Sequence, residues 1–205
     1  MAITNGYCAL SELKTYMGLT GSGQDDNLEN AIEGASRQID SITGRRFYQD
    51  GSVTTRYFTP DNSYYLFVPD ISTTTGLVVK LDDNDDGTHE TTLTINTDFI
   101  VEPVNAGQNQ VQYQPFTKVR ILDTRSSERF DASIVNNVKI EAKWGFSSVP
   151  DAIKQATFLQ ATRLFKRKDT PFTTYGGQST GSVDLQFNFD DDAMELIKGY
   201  KKNKL

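Results

Sequence analysis

Apolar positions change their spacing several times along the chain, and each change marks a new element. Leu10, Leu13 and Met17 fall at helical spacing, which predicts a short helix with Ser11 as its N-cap and Gly18 as its stop. A Gly/Ser/Gln loop over 21–24 then leads to Asp25 and Asp26, acids suited to the positive end of a second, longer helix. On that helix Leu28, Ile32, Ala35, Ile39 and Ile42 are spaced 4, 3, 4 and 3 apart, one apolar stripe about 100° wide. Gly44 ends it, and Arg45, Arg46 and Phe47 follow at once.

Over 53–144 the period drops to two. The runs VTTRYF, YYLFVP, GLVVKL, TTLTI, DFIVEP, KVRIL and NVKIEAKW alternate with segments rich in Asp, Asn, Gly and Pro. Seven or so short strands in this span predict an antiparallel sandwich or barrel inserted between helices. Helical spacing returns at Pro150, suited to a first helical position because its missing amide hydrogen needs no partner there. Over 151–168, Ala152, Ala156 and Leu159 mark one side, Phe158, Ala161 and Phe165 a nearly opposite one, and Ile153 with Leu164 a third. Such a helix must be covered on several sides, and a neighbouring subunit is the expected second cover.

Beyond Asp169 the segment TPFTTYGGQSTGS reads as a linker, and Val183, Leu185, Phe187 and Phe189 then alternate with polar residues as a strand does. Asp190, Asp191 and Asp192 precede Met194, Ile197 and Tyr200, with Lys198, Lys201, Lys202 and Lys204 at the end, a charge order that matches a terminal helix dipole. The predicted class is α+β: a bundle of N-terminal and C-terminal helices with an inserted antiparallel β-sandwich or barrel-like region. The expected division is a helical core over 1–48 and 149–168, a β-rich insertion over 49–148 and an extended arm over 169–205.

Composition narrows the function. With 21 Lys and Arg against 27 Asp and Glu, the formal charge of −6 argues against binding nucleic acid by neutralising phosphates. The single Cys8 forms no disulfide within the chain, so assembly in a reducing cytoplasm is expected. No stretch reaches the roughly 20 apolar residues of a membrane span, and the first residues lack the pattern of a secretion signal.

Candidate chemistry is sparse. The one histidine, His89, lies among turn residues and has no Ser/His/Asp or metal-site context. The Gly-rich stretches lack the strand-to-helix setting and the lysine of a phosphate loop. Asp82, Asn84, Asp86 and Gly87 match the opening of a calcium loop, but Leu93 stands where the closing bidentate acid belongs, and the flanks read as strands. A polar hairpin turn is therefore expected, with weak cation binding as the alternative. The cluster Arg163, Lys166, Arg167 and Lys168 and the terminal lysines compensate helix dipoles or meet an acidic partner. Tyr57, Phe58, Tyr64, Tyr65 and Phe67 are expected to fill the sandwich interior. The alternative is a stacking surface that would make the β region a binding module for carbohydrate or a host surface, attached through the helices. These residues point away from an enzyme, and no cofactor is expected.

The stretches YCALSELKTYMG, DDNLENAIEGASRQIDSITGRRFY and VPDAIKQATFLQATRLFKRKDTPF, in this order, resemble the head-tail connector adaptors of long-tailed bacteriophages. That resemblance implies a structural virion protein, located in the phage neck and assembled in the bacterial cytoplasm. It implies a homo-oligomeric ring, usually of twelve subunits, with the portal protein above and a stopper or tail component below. Leu28, Ile32, Ile39 and Ile42 would be core, Gly44 the helix stop, and Arg45 with Arg46 a cap or an interface pair. The segment from about 183 to 205 would reach the portal. Phe158, Ala161, Phe165, Val183, Leu185, Phe187, Phe189, Met194, Ile197 and Tyr200 are the expected subunit or portal contacts. Net acidity suits a lumen through which DNA slides without sequence-specific binding. The β insertion exceeds the short connection of minimal members.

Overall fold

The computed structural model describes residues 3–106, 114–167 and 189–202. The chain divides into two compact units, one formed by Met1–Arg45 with Val149–Leu205 and the other by Arg46–Ser148.

The helical unit holds α1 (Leu10–Met17), α2 (Asp25–Thr43), α3 (Asp151–Arg167) and α4 (Asp191–Ile197), the last continued by a 3-10 turn over Lys198–Tyr200. The α1 start differs from the Ser11 cap that the sequence suggests: Ala9 occupies the cap position and Leu10 is already helical. Glu12 supplies the missing acceptor, taking the Ala9 N–H at 2.8 Å through Oε2. Its Oε1 takes Lys154 Nζ at 2.9 Å, so the residue that starts α1 also ties it to α3. Gly18 and Gly44 end α1 and α2 in the left-handed conformation, both at φ 67°.

The α2 stripe is core at Leu28, Ile32, Ala35 and Ile39, while Ile42, expected with them, is half-buried. Burial of each leucine or isoleucine contributes about 1.5–3 kcal/mol. Ser36 and Thr43 are buried beside them and donate to the carbonyls of Ile32 and Ile39, at 2.7 and 2.8 Å, which satisfies their hydroxyls inside the bundle. Pro150 lies one position outside α3, where its carbonyl accepts the first helical bond from Lys154 N–H at 3.0 Å. α3 packs against α1, α2 and α4. Of its apolar positions Ile153, Ala156 and Ala161 are buried, while Ala152, Phe158, Leu159, Leu164 and Phe165 are half-buried. Asp190 caps α4 by accepting from Ala193 N–H at 3.0 Å, and Lys202 N–H bonds Thr43 O at 2.8 Å, fastening the chain end to the last turn of α2.

The β unit contains β1 (Thr54–Phe58), β2 (Tyr65–Ile71), β3 (Val78–Leu81), β4 (Thr91–Leu93), β5 (Phe99–Glu102), β6 (Phe116–Ile121) and β7 (Val138–Ala142). Each predicted run yields one strand. They form two antiparallel sheets, ordered β1-β7-β3-β4 and β2-β6-β5. Both are open, and no closed barrel is found among the described residues. One core joins the two sheets: Leu66 and Val68 of β2, Val101 of β5 and Val119 of β6 pack with Val79 of β3, Ile140 of β7 and Trp144. Trp144 is fully buried; its indole N–H donates to Thr54 O at 3.0 Å, and the Arg56 guanidinium lies 4.3 Å from its ring.

Candidate assembly surfaces

In the helical unit α3 is the hub, and its burial sorts the residues expected to meet a partner. Ala161 is fully buried against Leu13, Leu28 and Ile32, while Phe158 and Phe165 are half-buried on the same cluster. Phe158 stacks on Tyr16 of α1 with ring centroids 5.1 Å apart. Ile197 is fully buried and Tyr200 nearly so, and burial together with Asp151 pushes the Tyr200 phenol up. Ala161, Ile197 and Tyr200 therefore belong to the intramolecular core and leave almost no area for a second subunit. The pattern identified apolar positions, and within the chain its own helices bury these three. Met194 remains half-buried. Val183, Leu185, Phe187 and Lys168 lie outside the described residues.

Phe189 does border a surface feature. With Gln38, Ile42, Gln160, Leu164 and Arg167 it lines a cleft of about 270 Å³ between α2 and α3. Gln160 organises the floor, donating to Gln38 Oε1 at 2.7 Å and accepting from Asp190 N–H at 3.0 Å. Arg163 stands 3.6 Å from the Asp190 carboxylate, so part of the basic cluster serves the α4 junction, while Lys166 is exposed. At the end of α2, Arg45 N–H bonds the Thr43 hydroxyl at 3.3 Å. In the β unit, Arg46 meets Asp50 at 3.5 Å and lies 5.3 Å from the Tyr48 ring.

The β unit overturns one expectation about its aromatics. Tyr57, Tyr64, Tyr65 and Phe67 are exposed, and only Phe58 turns inward, half-buried against Trp144. Strand alternation explains the inversion. Leu66 and Val68 take the core face of β2, so Tyr65 and Phe67 take the other. Register places Tyr65 opposite Arg120 and Phe67 opposite Lys118 on β6, and Glu102 of β5 opposite Lys118. The outward face of this sheet thus joins two aromatic rings in edge-to-face contact at 5.6 Å to a charged row. Lys118 Nζ lies 5.7 Å from the Phe67 ring and 6.0 Å from that of Tyr65, and 2.5 Å from Glu102 Oε2. Hydrogen bonds from Lys118 and Arg120 hold the Glu102 carboxyl below its ordinary value. Arg129 lies 5.1 Å from the Tyr64 ring. Composition flagged these aromatics; their side of the sheet could not be read from a run in which both faces are apolar.

The calcium-like segment closes the hairpin between β3 and β4. Asp82 is buried, and its carboxylate turns onto the loop's own backbone, taking N–H groups of Asp85 at 2.8 Å and Gly87 at 2.9 Å. Asn84 Nδ2 donates to Asp86 Oδ2 at 3.2 Å, and the Thr88 amide holds the Asp86 carboxyl below its ordinary value. These bonds turn the Asp82 and Asp86 carboxylates onto the loop's own amides, as a polar hairpin turn does. Among the described residues no group of three or more His, Cys, Asp or Glu is arranged to hold a metal. His89 Nε2 donates to the Asn136 carbonyl at 2.9 Å, and its ring lies 5.4 Å from that of Tyr57, a structural pairing. Burial pushes the Cys8 thiol up to about 12, away from nucleophilic use. No described helix is long and apolar enough to cross a membrane.

No protein-family model and no curated protein matches the sequence. Solved structures do. The chain aligns over its full length with 94% of a chain in the neck of a native GTA particle computed with C12 symmetry, at a TM-score of 0.57 and 15% identity. A neck of the empty particle computed with C6 symmetry gives 0.55 and 14%, with the same coverage. The virion of the native gene transfer agent gives 0.53 and 17%. At this identity the likeness is one of fold, and it spans both units.

Proposed function

We propose that this chain is a structural virion protein of a phage-type neck, a ring subunit that connects the capsid portal to the stopper or tail and continues the DNA channel. The observation that carries the reading is the full-length match to chains from neck particles, over the β unit as well as the helices. A shared fold alone does not carry function. Here it coincides with a sequence resemblance to head-tail connectors in the helical segments.

In this reading the helical unit is the adaptor core, the β unit an insertion and the segment after residue 168 the arm that reaches the portal. The C12 symmetry of one matching neck makes twelve subunits the expected copy number. The formal charge of −6 favours a lumen that repels phosphates, so DNA passes without sequence readout. The ring sits in the virion neck and assembles in the host cytoplasm before packaging is sealed.

The test is co-expression with the portal of the same particle, followed by mass photometry and electron microscopy. The expected product is a ring on the portal with a continuous central channel. A chain that stays monomeric and unbound in the presence of portal ends the proposal. A ring lumen lined mainly by lysine and arginine removes the DNA-sliding component alone.

A further inference from the structure

The aromatic and cationic face of the β2-β6-β5 sheet is not accounted for by the fold. Phe67 is 44% and Tyr65 36% exposed, side by side, where a strand surface facing water would carry polar residues. Around them stand Lys118, Arg120 and Arg129, with Glu102 paired to the first two, four groups that sum to +2. In a chain of formal charge −6 this is a reversal of sign. The complement lies elsewhere on the same unit. In the hairpin between β3 and β4, Asp83, Asp85, Asp86 and Glu90 are all exposed, four negative charges at one tip.

We propose that this face docks a second copy of the chain, which presents its acidic β3–β4 hairpin tip to Tyr65, Phe67, Lys118 and Arg120. The inference rests on the ring reading above and names the contact that closes it in the β unit. A cyclic ring needs two different, complementary patches on each subunit, so that each copy gives with one and receives with the other. The tip belongs to the four-stranded sheet and the face to the three-stranded one, so using one patch leaves the other free. Complementary charge sets register and speeds encounter, while the desolvated aromatic pair supplies the centre of the contact.

Charge reversal on each side, and then on both, tests this with the full chain, alone and co-expressed with portal. K118E/R120E takes the face to −2; D83K/D86K/E90K takes the tip to +2, three positive charges against the remaining Asp85. Native fluorescence of Trp144 establishes that each variant is folded, and E90K alone, which leaves the Asp83 and Asp86 bonds to Thr91 and Thr88 in place, covers the case in which a multiple variant is not. Each reversal alone is expected to weaken self-association at least about tenfold by sedimentation and mass photometry, and the combined variant to recover it. Assembly unchanged by either reversal, or no recovery in a folded combined variant, overturns the proposal. So does a glycan array on which the wild type binds and K118E/R120E does not while its assembly is intact, which would assign the face to carbohydrate. The two readings fail differently: a wild type that neither self-associates nor binds portal removes the neck function and this contact together. Rings that form normally in both reversed variants remove the contact and leave the neck function standing.

Discussion

Replacing Gly145 by alanine should cost the β unit more than any surface change, and the cost follows from three distances. Gly145 follows the last β7-side tryptophan at φ +101°, and a Cβ added there would stand 1.9 Å from the carbonyl oxygen of Tyr48. Side-chain carbons do not approach heavy atoms closer than 3.0 Å, so the Tyr48 and Gly145 segments must part by about an ångström. Parting them breaks the Phe146 N–H to Tyr48 O bond at 3.3 Å, about 1 kcal/mol, and loosens the Gly145 N–H to Asp70 O bond at 2.7 Å by a similar amount. The Phe47 and Phe146 rings, 4.8 Å apart, lose a contact worth about 0.5–1.5 kcal/mol. Holding an L-residue at positive φ adds roughly 1–2 kcal/mol. Together these give about 3.5–5.5 kcal/mol, or a fall in Tm of roughly 10 °C or more. Trp144, the only tryptophan, is fully buried next to the substitution, so its fluorescence during heating reports this unit directly. A Gly145→Ala variant melting within about 2 °C of the wild type would show that the approach to Tyr48 is not a fixed feature of the fold, and would refute the reasoning.

Two further outcomes are expected besides the ring and charge-reversal experiments. Glu12→Gln should lower stability by under about 1 kcal/mol at neutral pH, because the Glu12 pair with Lys154 is solvent-screened. The Ala9 N–H and then Lys154 hold the Glu12 carboxyl below its ordinary 4.5, so the carboxylate's contribution is present above that value and disappears as pH falls through the lower folded value. Urea melts of the two proteins should therefore converge in acid, and a gap that persists there would contradict the assignment. Cys8, buried with its thiol pushed up from 9.0 to about 12, should resist a thiol-disulfide reagent at pH 8 and react on unfolding in urea. Rapid labelling of the folded chain would show that α1 opens freely.

Most elements were legible because their signals are local. The α2 stripe from Leu28 to Ile39 repeats at the helical period, and Gly18 and Gly44 stand where only a left-handed residue ends the turn cheaply. The β runs each carry enough β-branched and aromatic residues between turn formers to define a strand. One boundary slipped: α1 starts at Leu10 with Ala9 in the cap position, because the Glu12 carboxylate reaches back to the Ala9 N–H, a bond that a search for a capping hydroxyl does not reveal.

The candidate surfaces were less legible, for a physical reason visible at particular residues. Tyr65, Leu66, Phe67 and Val68 are all apolar, so a period of two identifies two faces without saying which is covered. Only the packing of Leu66 and Val68 onto the core shared by the two sheets turns Tyr65 and Phe67 outward. Likewise, the several apolar sides of α3 required several covers, but the choice between a second subunit and α1, α2 and α4 of the same chain was not in the spacing. Among the described residues the sequence by itself determined the element types, their order and the helix stops, since these follow from local backbone and side-chain chemistry. Tertiary structure alone decided which apolar faces remain in contact with water, because burial is set by what packs against a face and not by the face itself.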